Sequence, residues 1–203
     1  MQDISQSIIS LVILIFSTAL HEVAHGLTAL YFGDKTALRA GRLSLNPISH
    51  IDPFGSILLP FLLFTLGSPF VFGWAKPVPV NVANLRTKSA HAWVALAGPV
   101  TNLLLAVLAG GAIRIWGMGL TGPFRDFLFL VVIINTVLMV FNMIPIPPFD
   151  GYHIVGYLLR IPNRVYDWCM RYGLIMIVVA VLLFQRYLDG AVVSLIRLFT
   201  GVV

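Results

Sequence analysis

The chain has 203 residues, 59% of them hydrophobic and 10% charged, with a formal net charge of +5 and a mean hydropathy of +0.94. Soluble domains carry about 25% charged residues, so this composition excludes an ordinary soluble domain and points to an integral membrane protein. The lone Cys169 excludes an internal disulfide and a multi-cysteine metal site, and the basic residues lie between apolar segments, where they orient a membrane protein and do not suggest nucleic acid.

Taken in order, the first apolar segment runs from about Ile4 to Phe32, with Gly33 as its natural stop. Met1–Gln6 carries Asp3 and no basic residue, and the apolar run continues into a histidine motif, so a cleaved signal peptide is not expected. Next, "TALRAGRLSLNPISHIDP" shows short apolar and polar alternation, which predicts strand or loop, and Thr36–Asn46 reads as strand-like. A second apolar segment, 54–72, is interrupted by Pro60, Gly67 and Pro69. The stretch "GWAKPVPVNVANL" that follows is held extended by its prolines. Further apolar segments cover about Ala90–Trp116 and Phe127–Ile146. The last begins near Tyr172 and, with the stretch after Asp189, forms one long bent helix or two short ones. The expectation is an all-α polytopic membrane protein of about five to six apolar segments, with short membrane-associated strands, forming one domain over 1–203. Its catalytic core would span about 4–155 and its C-terminal helices about 165–203.

Charge placement tests the topology. If segment 54–72 dips in and returns, Lys35, Arg39, Arg42, Lys76, Arg86, Lys88, Arg160, Arg164 and Arg171 share a side, against Arg114 and Arg125. That is a strong positive-inside bias with the first group cytoplasmic. A full crossing leaves the two sides nearly balanced. Segment 54–72 is therefore expected to be re-entrant or to lie on the membrane surface, the alternative being a kinked ordinary span.

The motif His21-Glu22-Val23-Ala24-His25 carries the chemistry. Positions i and i+4 share a helix face, so the two imidazoles can converge on one metal ion. Glu22 lies about 100° further round, able to reach a water beside the metal without being a ligand. Such a motif arises by chance in about six of ten thousand shuffled chains of this composition. The competing reading, two packing histidines with a buried glutamate, fares badly because an ionisable residue inside a span is costly and functional by default. A catalytic zinc takes three protein ligands. His50, Asp52, His91, Asp150 and His153 are candidates for the third. Asp150 stands among three prolines and a glycine in "NMIPIPPFDGYHI", at a helix break that suits either a lined cavity or a plain interfacial turn.

The motif HEVAH together with Asn142, Pro145, Asp150 and Gly151 at the end of a later span resembles the site-2 protease family of intramembrane zinc metalloproteases. "NPISHIDPFGS", "FGWAKPVPVN" and "ALAGPVTN" are similar to the intervening motifs of its small bacterial and archaeal branch, so the resemblance covers most of Leu20–Ile154. It implies zinc ligation by His21, His25 and Asp150, one zinc ion per chain, and Glu22 as the base. It also implies a member without PDZ or CBS domains. Phe149 stands where the family has leucine before the Asp-Gly pair, a departure that leaves the ligand in place. For His25 and Asp150 to meet, an even number of crossings must separate them, which again makes 54–72 the segment that fails to cross. Zinc, two neutral imidazoles, the Asp150 carboxylate and ionised Glu22 sum to zero, the arrangement least costly in low dielectric.

Secondary candidates follow. Asn102 and Asn142 can bind the substrate backbone or a developing oxyanion, with interhelical bonding or capping as the bland readings. His50 and Asp52 can orient a ligand or simply order their loop. Asn135 reads as packing, and His91 and His153 as interface residues. The implied activity is endopeptidase cleavage of transmembrane or membrane-anchored proteins, within or beside their spans. The implied place is the plasma membrane of a prokaryote, with the active site towards the cytoplasm. The alternatives are a zinc transporter or sensor, or an inactive homologue that only binds transmembrane helices.

Overall fold

A computed structural model describes residues 4–58, 62, 65, 76–116 and 122–201. Helix α1 covers Ile4–Tyr31, α2 Thr36–Arg39, α3 Ala90–Trp116, α4 Pro123–Asn142, α5 Asp150–Leu158 and α6 Asn163–Thr200. Short 3₁₀ turns at Pro47–His50 and Val82–Asn84 and a π turn at Pro53–Leu58 punctuate the connections.

Ser5–Tyr31, Ala90–Trp116 and Pro123–Asn142 are long and apolar enough to cross a membrane. At 1.5 Å per residue even the 20-residue α4 reaches about 30 Å, the thickness of a hydrocarbon core. Their outward faces are apolar and exposed, as at Leu11, Phe16, Leu104 and Leu108, which suits lipid as the solvent. Gly33 ends α1 as expected: it takes φ +105°, and the Asp34 N–H reaches back to the Ala29 carbonyl at 2.9 Å.

Helix α3 is the hub, packing on α1, α4, α5 and α6. Its buried face is built of small residues, among them Ala90, Ala95, Gly98, Ala106, Ala109 and Gly110. Lipid offers no hydrophobic drive to bring helices together, so close backbone approach supplies the packing. Ala109 and Ile113 meet Val132 of α4, with Ile196 and Phe199 of α6 packed against them.

One expectation changes and one left open is decided. No strand occurs among the described residues: Thr36–Asn46 holds the single turn α2, and 76–81 is extended without a ladder. Pro77 and Pro79 lack the N–H groups a ladder needs. Arg42 instead donates to the Lys76 carbonyl at 2.8 Å, tying the two stretches together by a side chain. The C-terminal part is one continuous helix, α6, of 38 residues. The re-entrant reading of 54–72 falls mostly outside the described residues.

Candidate metal centre

The helical repeat of α1 brings His21 and His25 edge to edge, with ring centroids 4.6 Å apart and Nε2 atoms 2.9 Å apart. The third group comes from the far end of the fold. Helix α4 ends at Asn142, the proline-rich 143–149 turns the chain, and α5 starts at Asp150. Gly151 permits this turn, because a Cβ there would run into the backbone of Met143 and Ile144. Asp150 Oδ2 lies 3.2 Å from His21 Nε2, and Oδ1 lies 3.4 Å from His25 Nε2. A tetrahedral zinc with bonds of about 2.0–2.2 Å separates its ligand atoms by about 3.3–3.6 Å; the two carboxylate edges are close to that, whereas the 2.9 Å Nε2–Nε2 edge is shorter, so the imidazoles would part slightly around an ion.

Hydrogen bonding shows what the triangle lacks. His21 Nδ1 donates to Asn102 Oδ1 at 2.6 Å, and His25 Nδ1 donates to the Val94 carbonyl at 2.6 Å. Pro99 provides no N–H to the helix ladder of α3, which leaves the Ala95 carbonyl without its usual donor; the Val94 carbonyl one residue before it takes the imidazole. With each Nδ1 holding the proton, both Nε2 atoms present lone pairs. Three acceptors then face one another, and Asp150 Oδ2 is buried with no hydrogen-bond partner. A cation is the natural counterpart, and nitrogen and carboxylate donors suit zinc. Gly98 makes room: a Cβ there would stand 2.5 Å from both Nε2 atoms.

Glu22 lies beside the triangle. A carboxylate oxygen falls within 4.8 Å of the ligand nitrogens of His21 and His25, while Oε2 accepts from the Val78 N–H at 2.7 Å. The base candidate is thus held by the extended segment 76–81.

Other residues fall differently from the sequence expectation. Asn102 has no exposed surface, and its amide is spent on His21 and on Asn135 Oδ1, the latter at 2.9 Å. It is turned to His21 and Asn135 and presents no open surface. Asn142 donates to the Leu138 carbonyl of its own helix at 2.9 Å. His50 bonds to the Ser44 carbonyl at 2.8 Å, and Asp52 accepts from the Phe54 and Gly55 N–H groups. Both make these bonds within their own loop. His91 and His153 pair at 5.0 Å between centroids, with the Tyr166 hydroxyl 2.6 Å from His153 Nδ1. Burial, together with His91, lowers the His153 pKa to about 4, so this imidazole is neutral at pH 7. Sequence reasoning missed the Val94 carbonyl and the Val78 amide, since backbone groups leave no residue-type signal.

Comparison with known proteins agrees with this chemistry. Residues 110–183 match Peptidase family M50. The chain is 41% identical over 150 residues to the Bacillus subtilis protein named "Putative zinc metalloprotease YwhC", covering 70% of this chain and 65% of that one. It is 36% identical over 138 residues to Rip2 of Mycolicibacterium smegmatis, covering 68% of this chain and 52% of the relative. With Rip2 of Mycobacterium tuberculosis the figures are 34% over 140 residues, 67% and 51%. Both Rip2 proteins carry the same zinc metalloprotease designation. The match therefore spans less than two thirds of these relatives' own length. No solved structure matches. With an HEVAH helix whose two imidazoles face the Asp150 carboxylate, the chain belongs to peptidase family M50, the site-2 protease family.

Proposed function

We propose that this protein is a zinc endopeptidase that hydrolyses peptide bonds within or beside the transmembrane segments of other membrane proteins. The observation that carries the reading is the convergence of two imidazoles and a carboxylate, all acceptors, with a separately held glutamate beside them. His21, His25 and Asp150 would hold one zinc ion per chain. Bound there, zinc would polarise the scissile carbonyl and lower the pKa of a water towards about 7.

The chain's own residues do the rest. Glu22 takes a proton from the attacking water as the new C–O bond forms, and returns it to the leaving nitrogen as the C–N bond breaks. The Val78 amide keeps one carboxylate oxygen in place, so the other is free for this transfer. Asn102 and the Val94 carbonyl hold both imidazoles in the tautomer that points a lone pair at the metal. A helical substrate hides its carbonyls and must unwind first. The extended segment 76–81 lies against Glu22, so an unwound peptide that reaches the base would lie beside it. The setting we propose is a prokaryotic plasma membrane with the site towards the cytoplasm.

The test is metal analysis of purified protein, together with cleavage of a panel of single-span substrates by wild type and Glu22→Gln. Zinc retained and cleavage lost in the variant supports the enzyme. Zinc transport into vesicles that survives the substitution would favour a transporter, and no cleavage by wild type would favour an inactive helix-binding homologue.

A further inference from the structure

Asn135 sits in the middle of α4, beside Thr136 in a stretch otherwise apolar, with no exposed surface. Three bonds surround it. Its Nδ2 donates to the Val131 carbonyl at 2.9 Å and reaches Ser17 Oγ at 3.0 Å, and its Oδ1 accepts from Asn102 Nδ2 at 2.9 Å. Asn102 Oδ1 in turn faces His21 Nδ1 at 2.6 Å. The row therefore runs from α4 through α3 to α1.

A side-chain amide can turn over, exchanging its donor and acceptor ends, and such a row makes sense in only one direction if something fixes an end. The Val131 carbonyl does so, because it can only accept. The NH₂ of Asn135 must then point at Val131, which turns its oxygen to Asn102. Asn102 must offer its own NH₂ to that oxygen, which turns its oxygen to His21. His21 must then carry its proton on Nδ1 and leave Nε2 bare. Were Asn102 to turn over, its NH₂ would face Nδ1 and push the proton to Nε2, where it would block a metal. Ser17 carries no such information, since a hydroxyl both donates and accepts.

We infer that Asn135 is a positioning residue for the metal centre: anchored on the Val131 carbonyl, it fixes the polarity of Asn102 and through it the tautomer of His21. This rests on the metal-centre reading above and extends it to a helix that supplies no ligand.

The test measures zinc affinity by competition with a chelator of known affinity, on purified full-length protein in lipid nanodiscs. Asn135→Leu, which keeps the branched shape and the number of heavy atoms, is expected to bind zinc about 10–100-fold more weakly, and Ser17→Ala to stay within about twofold of wild type. In the Asn135→Leu background, Asn102→Asp is expected to restore most of the affinity, because both carboxylate oxygens accept and no polarity remains to be set. Unchanged affinity in Asn135→Leu overturns the inference. So does a weakened Asn135→Leu that Asn102→Asp fails to rescue, which would assign Asn135 to packing. Should Asn135→Leu not fold, ¹⁵N imidazole spectra of metal-free wild type decide: a proton on His21 Nδ1 supports the relay and one on Nε2 overturns it. Wild type that binds no zinc removes the metal centre itself, whereas wild type that binds zinc beside an unaffected Asn135→Leu removes only the relay.

Discussion

The Val78 N–H donates to Glu22 Oε2 at 2.7 Å, joining the HEVAH helix to a segment 56 positions later in the chain. Pro77 and Pro79 flank this donor and supply none of their own, so the contact is specific to one amide. Val78→Pro removes that hydrogen while keeping an extended backbone, and Val78→Ala keeps it. On the enzyme reading, Val78→Pro should lower kcat about 10–100-fold, because a general base set even about 1 Å out of place loses that much. Zinc content should not change. Steady-state cleavage of a single-span substrate with metal analysis of the same samples checks this; equal kcat in Val78→Pro and Val78→Ala would mean that the amide does not position the base.

Much of this arrangement is visible in the sequence, and the rest is hidden for physical reasons. The i, i+4 spacing of His21 and His25 is a local property of a helix, and the length of α1, α3 and α4 follows from the thickness of a bilayer. Asp150 was only one candidate among five on residue chemistry, and the family resemblance singled it out. Which polar side chains meet across helices depends on their rotation and relative depth, which one-dimensional spacing does not carry. Asn102 therefore reads equally as a substrate contact or an interhelical bond, and Asn135 as packing; the structure places both in the interhelical bonds behind His21. The prolines of 76–81 signalled extended chain correctly, yet the same prolines prevent the ladder that a strand requires.

Gly98 offers a test of the centre's tolerances. A Cβ there would lie 2.5 Å from His21 Nε2 and His25 Nε2, closer than any ordinary contact, so Gly98→Ala must displace an imidazole. Gly111, in the same helix, has nothing within 4 Å of the equivalent position. Alanine there should be neutral or stabilise by about 0.5–1 kcal/mol through reduced backbone entropy. Gly98→Ala should weaken zinc binding about tenfold or more while helix content by circular dichroism stays at the wild-type level. Equal zinc affinity in the two variants would show that the imidazoles have room to move.

Asp34 fastens the end of α1 to the loop before α3. Its carboxylate accepts from the Thr36 N–H and hydroxyl, the Asn84 side chain at 3.0 Å and the Asn81 N–H at 2.7 Å. Burial pushes this carboxyl up, but the bonds from Asn84, Thr36 and Asn81 outweigh it and hold the pKa at about 2. The folded value lies below the ordinary one of about 3.9. The stabilisation is therefore complete above about pH 4 and is lost as the pH falls towards 2. Asp34→Asn turns an NH₂ against donors and should cost about 1–3 kcal/mol at pH 7. Thermal unfolding of both proteins from pH 7 to pH 2 should show the gap narrowing on acidification; a gap that stays constant would mean that the carboxylate charge is irrelevant.

Removal of the metal should be felt first in α5. Asp150 opens that helix, and its carboxylate faces two imidazole lone pairs at 3.2 and 3.4 Å with no donor between them. Without a cation the three acceptors repel, leaving α5 held by its packing on α3, by Tyr152 stacked on Tyr166 with ring centroids 5.0 Å apart, and by His153 against His91. Helix α4 packs on α3 and α6 through Val132 and its neighbours, away from the ligands. Chelation should therefore speed amide exchange in Asp150–Leu158 well before it does so in Pro123–Asn142. Zinc at about a thousand times its dissociation constant should restore about 4 kcal/mol of stability, seen as a melting temperature that rises with zinc concentration. Asp150→Ala should show fast α5 exchange with or without zinc. A melting temperature indifferent to zinc, or α4 opening together with α5, would show that the ion does not hold α5 to the HEVAH helix.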